Sequence, residues 1–297
     1  MWAPINNLLS LRRHPLNRGR LCAAMASFAR WQLASRLATG PVAVPFVGGT
    51  RLLVGHGMTG ATGNIYCGLQ EFEDMGFVLH ALREGDLFVD VGANIGSYTV
   101  LAAGACNADV IAFEPVPATF GHLQDNINLN GLAGRVRARG IGLAAYAGAL
   151  CFTSALDSVN HVIPEERCKE LGGVRVPVET LDAALAGESP TVIKIDVEGY
   201  EAEVLKGGSA TLRSAGLLAV VVELQGAQGH QGFGDAGAHA QLLSAGFAPF
   251  RYDPLTRNLA RVSERVPSAN VLYIRDAGAV RARVTSAPER LLLGRRL

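Results

Sequence analysis

The sequence predicts an α/β fold: a mostly parallel sheet with helices on both faces, preceded by an N-terminal extension of helix and hairpin. Three observations carry this expectation. Apolar runs at 87–91, 109–113, 191–195 and 218–224 have the length and continuity of buried strands. Helical segments at about 97–104, 117–130 and 200–214 separate them, and such alternation is the pattern of a parallel sheet covered on both sides. The first of these runs, in "LFVDVGANIGSYTV", ends in an acid and turns through two glycines into a helix. Loops of that kind hold the charged part of a nucleotide-like ligand.

From the amino end, the segment from about Arg18 to Leu37 reads as an amphipathic helix amid Arg12, Arg13, Arg18, Arg20, Arg30 and Arg36. A helix docked on the domain, or a solvated arm, is the reading favoured over a membrane-surface helix. The segment lacks the clean apolar core and small-residue cleavage site of a secretory signal. No stretch approaches the roughly 18 uninterrupted apolar residues of a membrane span. Residues 42–54 suggest a hairpin turning at Gly48-Gly49, residues 55–68 a glycine-rich loop, and residues 69–82 a helix. Runs at 247–252 and 270–275 suit a hairpin-like edge pair, and the arginine-rich tail after Asp276 reads as loose. The expected layout is an extension over 1–68, a main domain over 69–276 and a tail over 277–297.

The chain has 297 residues and a net charge of +1, which gives no electrostatic case for a nucleic-acid partner. Its five cysteines (Cys22, Cys67, Cys106, Cys151, Cys168) contain no C-x-x-C pair. That argues against a zinc site and a disulfide framework, and suits a reducing cytoplasm.

Asp90 ends the first strand, where open α/β sheets bind ligands, and Gly92 and Gly96 let the backbone pass close by. Ala93, Asn94 and Ser97 complete the loop, with Ser97 opening a helix whose free N–H groups face the crevice. Glu114, followed by Pro115, ends the next strand, and a carboxylate there can accept two hydrogen bonds from a ribose diol. A dinucleotide site would want G-x-G-x-x-G, but Asn94 stands at the second glycine position and Ser97 at the third. Asp90 is a poor neighbour for a pyrophosphate and a good one for an ammonium. S-adenosylmethionine carries an ammonium, a carboxylate, a ribose and a sulfonium, so it is the expected cofactor. An NAD-dependent oxidoreductase, or a cofactor-binding protein that has lost catalysis, are the alternatives.

"FVDVGANIGSYT", "AFEPVPATFGHLQDNINLN", "VPVETLD" and "IKIDVEGYEAEVLKG" together resemble the FkbM family of S-adenosylmethionine-dependent methyltransferases, over roughly residues 65–225. "IYCGLQEFEDM" and "FTSALDSVNHV" are similar to its branch with nodulation-type sugar 2-O-methyltransferases. The resemblance implies a class I Rossmann-like methyltransferase fold and an acceptor that is a hydroxyl on a saccharide or a similar hydroxylated metabolite. It also implies that Asp90, Gly92, Asn94, Gly96 and Glu114 contact the cofactor.

In "KIDVEGYEAEVLKG", Asp196 ends a strand on the cleft side, and Glu198 and Gly199 turn into a helix. Methyl transfer to oxygen needs the acceptor placed in line and its proton taken, so Asp196 or Glu198 is the candidate base. Glu198 reads equally as a helix cap. His161 is the competing base, because imidazole titrates near neutrality, although a lone histidine is more often structural. Lys194 reads as an internal ion partner, Glu201 and Glu203 as solvated helix residues, and Asn126 and Asn130 as helix-ending residues. Glu71 divides between a helix cap and a cofactor contact. Glu223 with Asp196 is too little for a magnesium site, and no metal is expected.

Overall fold

The computed structural model describes residues 11–55, 58–154, 159–224, 235–262 and 269–297. Its strands are β1 (Val42–Pro45), β2 (Arg51–Val54), β3 (Leu87–Val91), β4 (Asp109–Phe113), β5 (Val136–Arg139), β6 (Gly142–Leu143), β7 (Gly148–Phe152) and β8 (Val162–Ile163). They continue as β9 (Val174–Glu179), β10 (Val192–Ile195), β11 (Ala219–Leu224), β12 (Ala248–Asp253), β13 (Asn258–Arg261), β14 (Ala269–Ile274), β15 (Leu291–Leu292) and β16 (Arg295–Arg296). The helices are α1 (Leu21–Leu37), α2 (Thr59–Cys67), α3 (Phe72–Ala81), α4 (Ser97–Val100), α5 (Pro117–Leu129), α6 (Leu181–Leu185), α7 (Glu201–Lys206), α8 (Asp235–Ser244) and α9 (Ala277–Thr285).

The main sheet has the order β13-β12-β14-β11-β10-β3-β4-β5. Its five strands from β5 to β11 are parallel, and β14, β12 and β13 add antiparallel pairings. The chain builds outward from β3 through β4 to β5, then returns to lay β10 and β11 on the other side. The order reverses between β3 and β10, and a ligand crevice opens at the carboxyl ends of strands flanking such a switch. This is the Rossmann-like arrangement expected.

Strand alternation assigns the two faces. Phe88, Val110, Val192 and Val221 belong to one apolar core, with α3, α4 and α5 over it. Val89, Val91, Ile111, Ile193, Ile195, Val220 and Val222 belong to the other, under α6, α7 and α8. The period of two therefore puts Asp90 on the face of Phe88, Lys194 on that of Val192 and Glu223 on that of Val221. Lys194 pairs in register with Asp90. The polar residues at these three strand ends are gathered on one side of the sheet by parity alone.

Several expectations are corrected. The span read as a glycine-rich loop at 55–68 contains α2, which accommodates Gly63 because the Gln70 side chain packs where its Cβ would lie; residues 56–57 lie outside the described residues. The tail is not loose. Asp276 caps α9 by accepting from the Ala279 N–H at 2.9 Å, Arg283 pairs with Asp86 at 2.5 Å, and Leu297 is buried. Strand β12 does pair with β14, but β13, which the sequence does not announce, forms the sheet edge. The helix expected over 200–214 stops at Lys206 and resumes only as a short 3-10 turn at Thr211–Arg213.

A second sheet, β6-β9-β7-β8, stands beside the main one. Cys151 on β7 is disulfide-bonded to Cys168, with Cα atoms 5.9 Å apart, which overturns the reading of the five cysteines as unpaired. Strand β8 pairs antiparallel with β7, bringing Ile163 opposite Cys151, and the turn at Glu165–Arg167 then delivers Cys168 across the 17-residue separation.

Candidate active site

A cleft of about 250 Å³ opens at the carboxyl ends of β3 and β10, lined by the Asp90–Tyr98 loop, Lys194, Asp196, Glu198 and Glu223. Asn64 and Gln70 close it from α2 and the turn that follows, and Met75 from α3. A smaller recess of about 40 Å³ beside it joins Glu114 and Pro115 to Asp196, Glu198 and Asn160. Asp90, Gly92, Ala93, Asn94, Ser97, Glu114 and Pro115 are thus brought to one crevice from β3, β4 and the loops after them, whereas Gly96 lines neither cavity and backs onto Leu123 of α5.

The loop after β3 is built tightly. Gly92 has φ of 78°, and a Cβ on it would lie 1.8 Å from the Asp196 carbonyl oxygen. Asn94 also takes a positive φ of 50°, and its Oδ1 accepts from the Ile95 N–H at 2.7 Å. Glu114 accepts from the Asn94 N–H through Oε2 at 3.0 Å and from the Val116 N–H through Oε1 at 2.9 Å. Each oxygen keeps acceptor capacity, because a carboxylate offers about four lone-pair sites. Burial pushes the Glu114 carboxyl up to about 7, against the pull of those two amides.

Asp90 is 1% exposed. Its Oδ2 accepts from the Thr99 hydroxyl at 2.6 Å, while Oδ1 is buried without a hydrogen-bond partner. An unsatisfied buried carboxylate oxygen costs free energy unless a donor is delivered to it. The ammonium of S-adenosylmethionine is such a donor, so the residues present fit that group. Burial raises the Asp90 carboxyl, opposed by Lys194 and the Thr99 hydrogen bond.

Across the cleft, the Lys194 ammonium bonds to Asp196 Oδ2 at 2.6 Å and lies 4.6 Å from the centre of the Tyr98 ring. The internal ion partner expected of Lys194 is present. Burial alone would discharge this lysine, but Asp196, Glu71 and Asp90 hold it charged and above its ordinary value. Asp196 and Glu223 share a hydrogen bond with opposite consequences. Burial works to raise Asp196, yet Lys194 and the Glu223 donor hold it below the usual carboxylate range. Burial and the Asp196 charge push Glu223 up to about 9, so at neutral pH Glu223 is the protonated partner. Asp196, Glu198 and Glu223 each place an oxygen within 4.8 Å of one another. The sequence offered only Glu223 with Asp196 here, and the fold adds Glu198 to make a grouping of three carboxylates of the kind that can hold a cation.

Glu198 holds a left-handed φ of 53° in the turn and lines both cavities. Strained non-glycine backbone of this kind persists where the surroundings impose it. The capping role does not fall to Glu198. Glu201, read as solvated, is 3% exposed and accepts from the Val197 and Gly199 N–H groups, both at 3.1 Å. Glu203 pairs with Lys206 on the helix surface.

His161 is placed differently from the expectation. Its Nδ1 bonds with the Val159 carbonyl at 3.0 Å, its backbone joins Thr153, and its neighbour Asn160 lines the recess instead. Glu71 makes no cap hydrogen bond; it accepts from the Tyr98 hydroxyl at 2.5 Å and from Asn270 at 2.9 Å. Asn126 and Asn130 pin β2 rather than touch the cleft, accepting from the Leu53 and Arg51 N–H groups at 2.6 and 2.8 Å. Sequence reasoning missed Asn64, Gln70, Tyr98, Asn160 and Asn270. Tyr98 alone carried a signal, one position into the helix after the glycine turn.

The family model for the methyltransferase FkbM domain matches residues 90–249, more than half of the chain. The chain belongs to the FkbM methyltransferase family. Among curated relatives, hexuronic acid methyltransferase AglP of Haloferax volcanii is 34% identical over 152 residues, covering 50% of this chain and 59% of that protein. Methyltransferase sdnD of Sordaria araneosa is 32% identical over 169 residues, covering 46% of this chain and 65% of that protein. Each match spans less than two thirds of the relative. A SAM-dependent O-methyltransferase of Thermotoga maritima has a TM-score of 0.39 at 14% identity, over 68% of this chain and 64% of that one. Within the FkbM match lie Asp90, Glu114, Lys194, Asp196 and Glu223; Asn64, Glu71 and Asn270 lie outside it.

Proposed function

We propose that this FkbM-family protein transfers the methyl group of S-adenosylmethionine to a hydroxyl of a saccharide or similar hydroxylated metabolite. The observation that carries the reading is the unpartnered Asp90 Oδ1 facing, across one cleft, the anionic Asp196 held by Lys194. Asp90 would receive the cofactor's ammonium and Glu114 its ribose hydroxyls, while the loop amides approach its carboxylate. When bound, the cofactor supplies an electrophilic methyl on a sulfonium.

Asp196 then holds the acceptor hydroxyl in line and takes its proton. A carboxylate of depressed basicity is a weak base for a free alcohol. As the carbon–oxygen bond forms, however, the hydroxyl oxygen turns cationic and its proton strongly acidic, so a weak base suffices late in the step. Placement supplies the larger share of the rate. Glu223 donates its hydrogen bond to Asp196 and fixes the orientation of that carboxylate. The hexuronic acid relative favours a sugar acceptor. Residues 55–68 and 152–178 are the candidate acceptor walls, of which 56–57 and 155–158 lie outside the described residues.

Incubation with methyl-labelled S-adenosylmethionine and a panel of neutral, amino and uronic sugars tests the reading, with label expected on oxygen. Label found on nitrogen or on a nucleobase overturns the acceptor class. Binding of NAD without binding of S-adenosylmethionine overturns the cofactor.

A further inference from the structure

Helix α1 is held to the protein by one narrow stripe. Ala24, Trp31 and Ser35 are buried, and Phe28 packs against Tyr66 with ring centres 5.1 Å apart. The remaining circumference faces outward, where a docked surface helix normally shows charged and polar residues. Here Leu33 and Leu37 are 63% and 73% exposed, Met25 and Leu21 are exposed too, and Cys22, Ala26 and Ala29 fill the positions between them. An outward face this rich in exposed apolar side chains, interrupted only by Gln32 and Arg36, marks an interaction surface.

Its charge is one-sided. Residues 1–70 contain seven arginines and no lysine, aspartate or glutamate, so the rest of this +1 chain is net negative. Exposed Arg30 borders the apolar face, exposed Arg36 rises within it at the carboxyl end of the helix, and Arg12, Arg13 and Arg18 precede it. The carboxyl-terminal hairpin joins the same end of the molecule. The Arg295 guanidinium bonds to the Arg18 carbonyl, and the hairpin carries Leu291, 75% exposed, with exposed Arg296.

An apolar face bordered by arginines asks for a partner that is apolar inside and anionic outside. A bilayer with acidic headgroups is both: the leucines enter the acyl boundary while the arginines meet phosphate and carboxylate. A second copy of this face is a poor occupant, because pairing α1 with itself brings together arginine-bearing segments that contain no acid. We propose that α1 and the terminal hairpin form a peripheral docking surface for anionic membranes. Among the described residues no helix is long and apolar enough to cross a membrane, so the contact lies along the surface. The proposal stands independently of the methyl-transfer chemistry.

Co-sedimentation of the full chain with phosphatidylcholine vesicles, with and without phosphatidylserine, is the test. Binding is expected only to the phosphatidylserine vesicles, weakening as salt rises. The double variant Leu33→Glu, Leu37→Glu should bind about tenfold more weakly with unchanged thermal unfolding, since both side chains already face solvent. Equal binding to neutral vesicles, no binding to either, or binding indifferent to the double variant overturns the proposal. So does light scattering that reveals a dimer dissociated by the same substitutions, because the face then belongs to a second copy.

Discussion

Gly92 and Asp196 touch: a Cβ on Gly92 would sit 1.8 Å from the Asp196 carbonyl oxygen. The loop after β3 and the turn after β10, the segments proposed to hold cofactor and acceptor, are therefore in direct backbone contact, and any side chain at 92 must push them apart. With φ of 78° at this residue, Gly92→Ala adds strain to the collision. We expect a loss of about 3 kcal/mol or more of stability. Urea unfolding measures that loss, and a variant that keeps both stability and cofactor affinity would contradict the contact.

Glu114 ties the loop after β3 to its own strand end through the Asn94 and Val116 amides, and has acceptor capacity left for the ribose hydroxyls the proposal assigns to it. Glu114→Ala should weaken S-adenosylmethionine binding by about 1–3 kcal/mol, the cost of losing hydrogen bonds to a charged group. Calorimetric titration reads this directly. Unchanged affinity would remove Glu114 from the cofactor site.

Glu223, pushed up to about 9 by burial and by Asp196, holds a proton at neutral pH that an unfolded glutamate, near 4.3, does not. The folded state binds the extra proton throughout that window, so this carboxyl's contribution to stability is present at low pH and is lost as pH rises toward 9. Turnover should fall on the same alkaline limb, as a second charge appears beside Asp196. Glu223→Gln keeps the hydrogen-bond donor and removes the titration. It should retain most activity at neutral pH and flatten both profiles. An alkaline limb that persists in Glu223→Gln assigns it to another group.

The Cys151–Cys168 bond closes a short loop that includes Asn160, which lines the recess beside Asp196. Replacing both cysteines with serine should cost about 2–4 kcal/mol, from the freedom regained by a loop of this length. The acceptor KM should rise more than cofactor affinity falls, because the second sheet borders the recess while Asp90 lies on the main one. Equal changes in both would show that the bridge serves the whole fold.

What could be read beforehand follows a physical division. The strands of the parallel core were legible because burial on both faces leaves continuous apolar runs. Asp90, Glu114 and Asp196 were legible because ligands collect at carboxyl strand ends. The parity that aligns Asp90, Lys194 and Glu223 on one face was implicit in the same strands, once their order was known. By contrast, β6, β8 and β13 are two to four residues long and leave no periodic signature. Glu201 looked solvated because it opens a helix, yet it turns back to bind the Val197 and Gly199 amides, a contact that depends on the Glu198 backbone. Asn64 reaches the cleft, and Asn270 reaches Glu71 on its wall, from segments distant in sequence that only the fold brings together.

Asp196, the proposed base, is fixed by Lys194 on one side and by Glu223 on the other. Asp196→Asn keeps the size and removes the charge proposed to receive the proton, so turnover should fall while cofactor binding, assigned in the proposal to Asp90 and Glu114, stays largely intact. General-base assistance is worth about 10²–10⁴ in rate. The depressed basicity of Asp196 places the expected loss toward the lower end, since its role is weighted to placement and late proton acceptance. His161→Ala is the control: with the ring bonded to the Val159 carbonyl and Asn160 lining the recess in its place, turnover should remain near that of the unaltered protein. If His161→Ala abolishes turnover while Asp196→Asn binds cofactor and stays active, the proton goes to His161. The second sheet would then have to bring that ring into the cleft when acceptor binds.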